Sequence, residues 1–127
     1  MPLVYDASAL LAVVFSEPGA ETVIEQLGEP GGEISAANLA EVGSKMAERG
    51  LSTTQVQREL ASFALDVVSL DEPQALLVAG LRVPTMALGL SLGDRCCLAL
   101  AQTRGATILT ADRGWKKLKG FDVKLIR

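Results

Sequence analysis

Four carboxylates share one kind of address in this 127-residue chain. Asp6 follows the apolar run PLVY. Glu41 falls in the first turn of the helix expected after a short strand at Glu33–Ser35. Asp94 opens the helical stretch LSLGDRCCLALA, and Asp112 follows the strand expected at Ala106–Leu109. Carboxylates that converge repel one another and are costly to desolvate. A hard divalent cation offsets that cost: Mg²⁺ takes oxygen ligands, keeps some waters and sits on carboxylates together with substrate phosphate, and Mn²⁺ accepts the same donors. The matching chemistry is attack on a phosphoryl centre by metal-activated water.

Three of the four acids also have a local explanation. Ser91 with Asp94, and Asn38 with Glu41, read as capping boxes, and Asp112 can cap the helix it precedes. Asp6 has no such excuse, because an acid after PLVY gains nothing from a core.

The rest of the composition narrows the chemistry. There is no His, which removes the commonest general base. The two Cys, Cys96 and Cys97, are adjacent; helical neighbours point about 100° apart, so a disulfide between them is geometrically poor and buried thiols are expected. With no second Cys pair, four zinc ligands are not available. Hydrophobic residues make up 49% of the chain, enough for a sizeable core in one domain spanning 1–127. No apolar run reaches the roughly 18–20 residues of a membrane span. The N-terminus lacks a basic leader, so a cytoplasmic protein with no membrane partner is expected.

Net charge is −3, unevenly distributed. Met1–Ala37 carries six acids and no Lys or Arg, whereas Arg104 onward carries seven bases against two acids. Arg113, Lys116, Lys117 and Lys119 follow Asp112 closely, as a solvated face or as a patch for phosphate backbones. Arg95, next to Asp94, is expected to point away from it, and Trp115 is expected in the core.

The elements that must position these residues alternate. Strands are expected at Pro2–Tyr5, Glu33–Ser35, Asp66–Leu70, Ala106–Leu109 and Asp122–Ile126. Helices are expected from Ser8 to the Glu17-Pro18-Gly19 breaker, then at Ala20–Leu27, Asn38–Arg49, from Ser52 or Thr53 to about Ala64, and at Glu72–Leu81, Ser91–Arg104 and Asp112–Leu118. Pro84 interrupts the pattern over Arg82–Gly89. Alternation of this kind implies an α/β fold with a parallel sheet covered on both faces. Ligands then bind beyond the C-terminal strand ends, where the four acids lie.

The segments DASALLAVVFSEPG (Asp6–Gly19), SAANLAEV (Ser35–Val42), LSLGDRCCLALA (Leu90–Ala101) and LTADRGW (Leu109–Trp115), in this order and spacing, resemble the PIN-domain family, and within it the VapC-type toxins of toxin–antitoxin pairs. The resemblance implies a three-layer α/β/α fold with a central parallel sheet of about five strands. It implies a Mg²⁺- or Mn²⁺-dependent endoribonuclease in which Asp6, Asp94 and Asp112 hold the metal and Glu41 completes the site. Ser8 and Thr110 match hydroxyls that support the acids or orient substrate, with helix capping the plainer role for Ser8. Arg113, Lys116, Lys117 and Lys119 would hold RNA phosphates. The implied partners are tRNA or rRNA as substrate, a cognate antitoxin, operator DNA only through that antitoxin, and a second copy in a homodimer. A catalytically silent PIN-like module that binds RNA or protein is the alternative. A haloacid-dehalogenase-like enzyme would need a second Asp where Ser8 stands, and a receiver domain needs an acidic pair near the first strand that is missing.

Overall fold

The computed structural model describes residues 2–127. Among these residues, β1 (Leu3–Tyr5), β2 (Gly32–Ser35), β3 (Asp66–Val68), β4 (Thr107–Thr110) and β5 (Asp122–Leu125) form one five-stranded sheet in the order β3-β2-β1-β4-β5. Every pairing is parallel. The chain winds outward from β1 to β3, then returns to lay β4 on the other side of β1. The order therefore reverses between β1 and β4, the place where open α/β sheets leave a crevice. In register, Tyr5 lies beside Leu109, so Asp6 just past β1 stands beside Thr110, the last residue of β4.

Strand residues alternate between two cores because successive side chains point to opposite faces. Tyr5, Ile34 and Leu109 pack with α1 (Ala7–Val14), α2 (Ala20–Leu27) and α3 (Ala36–Glu48), which contribute Leu10, Val23, Val42 and Met46. α4 (Thr53–Ser62) adds Val56 and Leu60 to that layer. On the opposite face Val4, Ile108 and Val123 meet Leu98 and Leu100 of α6 (Leu92–Arg104) and Trp115. α5 (Glu72–Leu81) packs outside α6, where Val78 meets Cys96 and Ala99. The result is the expected three-layer α/β/α arrangement.

Local chemistry fixes most boundaries. Gly19 holds φ +93° between α1 and α2, and a Cβ there would stand 2.5 Å from the Ile126 carbonyl oxygen, so a side chain fits neither the backbone nor the space. Ser52 and Gln55 close a reciprocal capping box on α4, and Asp71 caps α5 by accepting from the Gln74 N–H.

Two expectations need correction. The cap of α3 is Ser35, whose hydroxyl accepts from the Ala37 N–H; Asn38 lies inside the helix, fully buried, and forms no box. Ser35 ends β2 in extended geometry and can start the helix at once, so Glu41 falls in the second turn rather than the first. The Asp112–Leu118 segment is a 3₁₀ helix over Arg113–Lys117 rather than an α-helix. At 82–90, where Pro84 breaks the pattern, the chain makes turns and a 3₁₀ helix at Met86–Leu88. No helix among the described residues is long and apolar enough to cross a membrane.

Candidate active site

Asp6 leaves β1 in extended conformation and stands as the N-cap of α1, yet its side chain does not cap the helix. Its Oδ2 instead accepts two hydroxyl bonds, from Ser8 at 2.6 Å and from Thr110 at 2.8 Å. The hydroxyls are themselves fixed. Ser8 Oγ accepts from the Ala111 N–H at 2.9 Å, Thr110 Oγ1 accepts from the Asp112 N–H at 3.1 Å, and the two oxygens lie 3.2 Å apart. Ser8 is thus a tie between α1 and the end of β4 rather than a helix cap. Among the described residues, no protein donor reaches Asp6 Oδ1.

Asp94 is the third residue of α6 and forms a complete capping box with Ser91. Its N–H donates to Ser91 Oγ at 3.1 Å, and its Oδ2 accepts from the Ser91 N–H at 2.9 Å. The local explanation for Asp94 therefore holds, and one oxygen is committed to it. Glu41 reaches across from α3 so that its Oε1 lies against the backbone of Gly93, which a Cβ would approach to 2.5 Å. Beside it, the Asn38 amide donates to the Gly93 carbonyl at 2.9 Å.

These three acids feel one another. Burial pushes Asp6 from 3.8 up to about 6; the Ser8 and Thr110 hydroxyls oppose that rise, and the charges of Asp94 and Glu41 add to it. Glu41 is raised by burial and then by Asp94, while Asn38 and Lys45 hold it down. Cys97, fully buried on the next turn of α6, is pushed well up by burial and by the charges of Asp6, Asp94 and Glu41. Asp112 stands apart: it is exposed, its Oδ1 accepts from the Gly114 N–H at 2.9 Å, and it is not among the charges that act on Asp6 or Glu41. The structure brings Asp6, Glu41 and Asp94 together and holds Asp112 at the flank through its bond to Thr110. Among the described residues, no three acid or thiol side chains already close on a point that a metal ion would occupy. The donor chemistry still fits a hard divalent cation, because the ionisable neighbours of Asp6 are carboxylates and no cation is among the charges that act on it.

The basic residues are dispersed. Arg113 donates to the Arg127 carbonyl at 3.3 Å, and Lys116 donates to the Val123 carbonyl at 2.6 Å. Lys117 and Lys119 line a cavity of about 410 Å³ with Leu81, Leu88 and Phe121, which none of the four acids lines. A groove of about 470 Å³ opens beside Glu41, walled by Ala40, Ser44, Leu70 and Leu92. Trp115 is 1% exposed and belongs to the core, as expected. Arg95 turns away from the acids and donates to the Val78 carbonyl at 2.9 Å. Cys96 and Cys97 are buried free thiols.

Two residues of this site escape a reading of the sequence, Asn38 and Gly93. A signal exists for each: Asn38 precedes Glu41 by three positions and so shares its helix face, and Gly93 is a poor helix former inside a helix.

A parallel α/β sheet that gathers carboxylates at its switch point, with no His in the chain, defines a class of acid-centred α/β domains. The chain belongs to the PIN domain family, whose model matches residues 3–120. PIN domains are nucleases. Similar solved structures include a toxin-antitoxin complex from Klebsiella pneumoniae, at 20% identity and TM-score 0.77, covering 98% of each chain. VapBC2 from Rickettsia felis, bound to a DNA fragment from the promoter, matches at 18% identity and TM-score 0.77, again over 98% of each chain. FitAcB from Neisseria gonorrhoeae matches at 20% identity and TM-score 0.70, over 98% of this chain and 97% of that one. At these identities the likeness is one of fold. No curated protein matches the sequence.

Proposed function

We propose that the protein is a metal-dependent endoribonuclease of the VapC type, the toxin of a toxin–antitoxin pair. The observation that carries this reading is the Asp6 carboxylate, 4% exposed at the switch point, with Asp94 and Glu41 both raising its pKa. Stability alone does not favour such a group; a bound cation does. Asp6, Asp94, Asp112 and Glu41 are the residues that would hold Mg²⁺ or Mn²⁺. Such an ion supplies a water activated for attack on the phosphodiester and neutralises charge on the phosphoryl oxygens.

The chain's own residues do the rest. Ser8 and Thr110 hold one oxygen of Asp6 and leave the other for a ligand. Glu41 stands where a carboxylate can orient a water or accept its proton. Asp112, anchored by its backbone to Thr110, closes the site from the flank. Arg113, Lys116, Lys117 and Lys119 contribute phosphate contacts, with Lys116 sharing its ammonium with the Val123 carbonyl. Water attack in line with the leaving oxygen leaves a 5′-phosphate and a 3′-hydroxyl. The likeness to toxin–antitoxin complexes supports a cognate antitoxin as partner, with promoter DNA reached through it. A homodimer acting on tRNA or rRNA completes the reading.

The test is incubation of purified protein with total RNA in Mg²⁺, Mn²⁺ or EDTA, beside Asp6→Asn. Discrete cuts that need metal and Asp6 and leave 5′-phosphate ends support the proposal. Equal cutting by Asp6→Asn, or cutting in EDTA, refutes it.

A further inference from the structure

Two positions beside the acids carry residues that stability alone does not explain. Gly93 is the second residue of α6, with no left-handed backbone to justify it, and Gly is among the poorest helix formers. The reason is spatial. The three nearest atoms to a Cβ at this position are Glu41 Oε1 at 2.5 Å, Glu41 Cδ at 3.5 Å and Asn38 Nδ2 at 3.7 Å. The volume that a side chain at 93 would fill is held by the Glu41 carboxylate.

Asn38 is the second position. It is 0% exposed, and its amide donates to the Gly93 carbonyl across the α3–α6 gap at 2.9 Å. Its Oδ1 is buried without a partner among the described residues. A buried, half-satisfied amide costs stability that an apolar side chain of similar size would not. Asn38 Nδ2 and the Glu41 carboxylate both border the place where a Gly93 Cβ would stand. One residue thus grips the backbone of α6 and bears on the carboxylate that crosses it.

We infer that Asn38 and Gly93 are positioning residues that set the Glu41 carboxylate against Asp94. The Asn38 amide fixes how far α3 stands from the start of α6, and the bare Cα of Gly93 provides the slot into which Glu41 must turn. This explains why glycine immediately precedes the acid in SLGD, and why asparagine stands three residues before the acid in NLAE. Neither residue touches substrate. Both act through Glu41. The inference rests on the acidic cluster being the nuclease centre proposed above.

Gly93→Ala separates positioning from folding. The atom it displaces is the far end of a flexible side chain, so Glu41 can swing aside with little strain on the backbone, and alanine suits a helix better than glycine. The variant is expected to melt at or above the wild-type temperature. Its crystal structure without metal is expected to show the Glu41 carboxylate turned out of the α3–α6 gap. Mn²⁺ affinity by calorimetry should fall at least tenfold, and in RNA cleavage kcat should fall while KM stays within twofold, because phosphate contacts are untouched. Asn38→Leu, similar in volume, should lower Mn²⁺ affinity in the same direction.

A Glu41 carboxylate that keeps its place in the Gly93→Ala structure overturns the inference, as does Mn²⁺ affinity within twofold of wild type in both variants. If the wild-type protein binds no Mn²⁺, the metal-dependent nuclease reading is what fails. The position of Glu41 in the Gly93→Ala structure then decides the positioning role alone.

Discussion

The Thr110 hydroxyl donates to Asp6 Oδ2 at 2.8 Å, joining two residues 104 positions apart at the point where the sheet order reverses. The same oxygen of Thr110 accepts from the Asp112 N–H, so one buried hydroxyl fixes the orientation of one acid and the backbone of another. Thr110→Val removes both bonds while keeping the shape. We expect a loss of about 1–3 kcal/mol in urea unfolding and a further rise of the Asp6 pKa, since an opposing hydrogen bond is lost. Thr110→Ser should retain most of both. Equal stability of the Val and Ser variants would contradict this account.

Acid titration should stabilise the metal-free protein through Asp6. Its pKa lies near 3.8 unfolded and about 6 folded, so the native state holds a proton that the unfolded state has released. The stabilisation is full below about pH 4 and is lost as pH rises through about 6. At about 1.4 kcal/mol per pH unit, ionised Asp6 costs on the order of 3 kcal/mol at neutral pH. Glu41, raised for the same first reason, adds in the same direction. Asp6→Asn should therefore be more stable than wild type at pH 7.5 and no more stable at pH 4, measured by urea midpoints without metal.

Divalent cations should act in the opposite pH range. Mn²⁺ at a hundred times its Kd should stabilise the native state by about 2.7 kcal/mol. The effect should shrink below about pH 6, where Asp6 holds a proton that the metal must displace; Glu41, also raised by burial, adds in the same direction. EDTA should reverse it, and Asp6→Asn should abolish it. A thermal shift of equal size in Asp6→Asn would place the ion elsewhere.

The basic residues should separate by their present partners. Lys117→Gln and Lys119→Gln should each weaken RNA binding and reduce its salt dependence by about 0.7 in log–log slope, as for one lost contact to a single strand; Arg113→Gln should do the same and also lose its exposed bond to the Arg127 carbonyl. Lys116→Gln should in addition cost about 1 kcal/mol of stability, because its ammonium donates to the Val123 carbonyl on β5. Filter binding across a salt series, with unfolding curves in parallel, distinguishes the two behaviours.

Much of the architecture is legible in the sequence because its signals are local. The apolar runs around Val4, Ile34, Val67, Ile108 and Val123 all form strands, and Asp6 and Asp112 follow the ends of β1 and β4, on the edge that α/β topology reserves for ligands. The Ser91–Asp94 box is legible for the same reason: its two bonds span three residues. Asn38 misleads because Asn-x-x-Glu is also a local capping pattern, and only the packing of α3 against Gly93 shows that this Asn faces inward. Lys116 reads as an exposed base until β5 brings a carbonyl to its ammonium. The flank position of Asp112 depends on a 3₁₀ turn, whose difference from an α-helical turn no short pattern specifies. Apart from that turn, what escapes the sequence is an interaction between distant elements.

The parallel pairing of β1 with β4 has a consequence for timing. Thr110, which orients Asp6, is made more than a hundred codons after it. At about 5–20 residues per second, the carboxylate waits about 5–20 seconds for its hydroxyl. During that interval the nascent chain carries the acid without the strand that buries it. If the acids cut RNA as proposed, a growing chain is harmless to the RNA around it, including the machinery still building it, and is armed only when translation has passed β4.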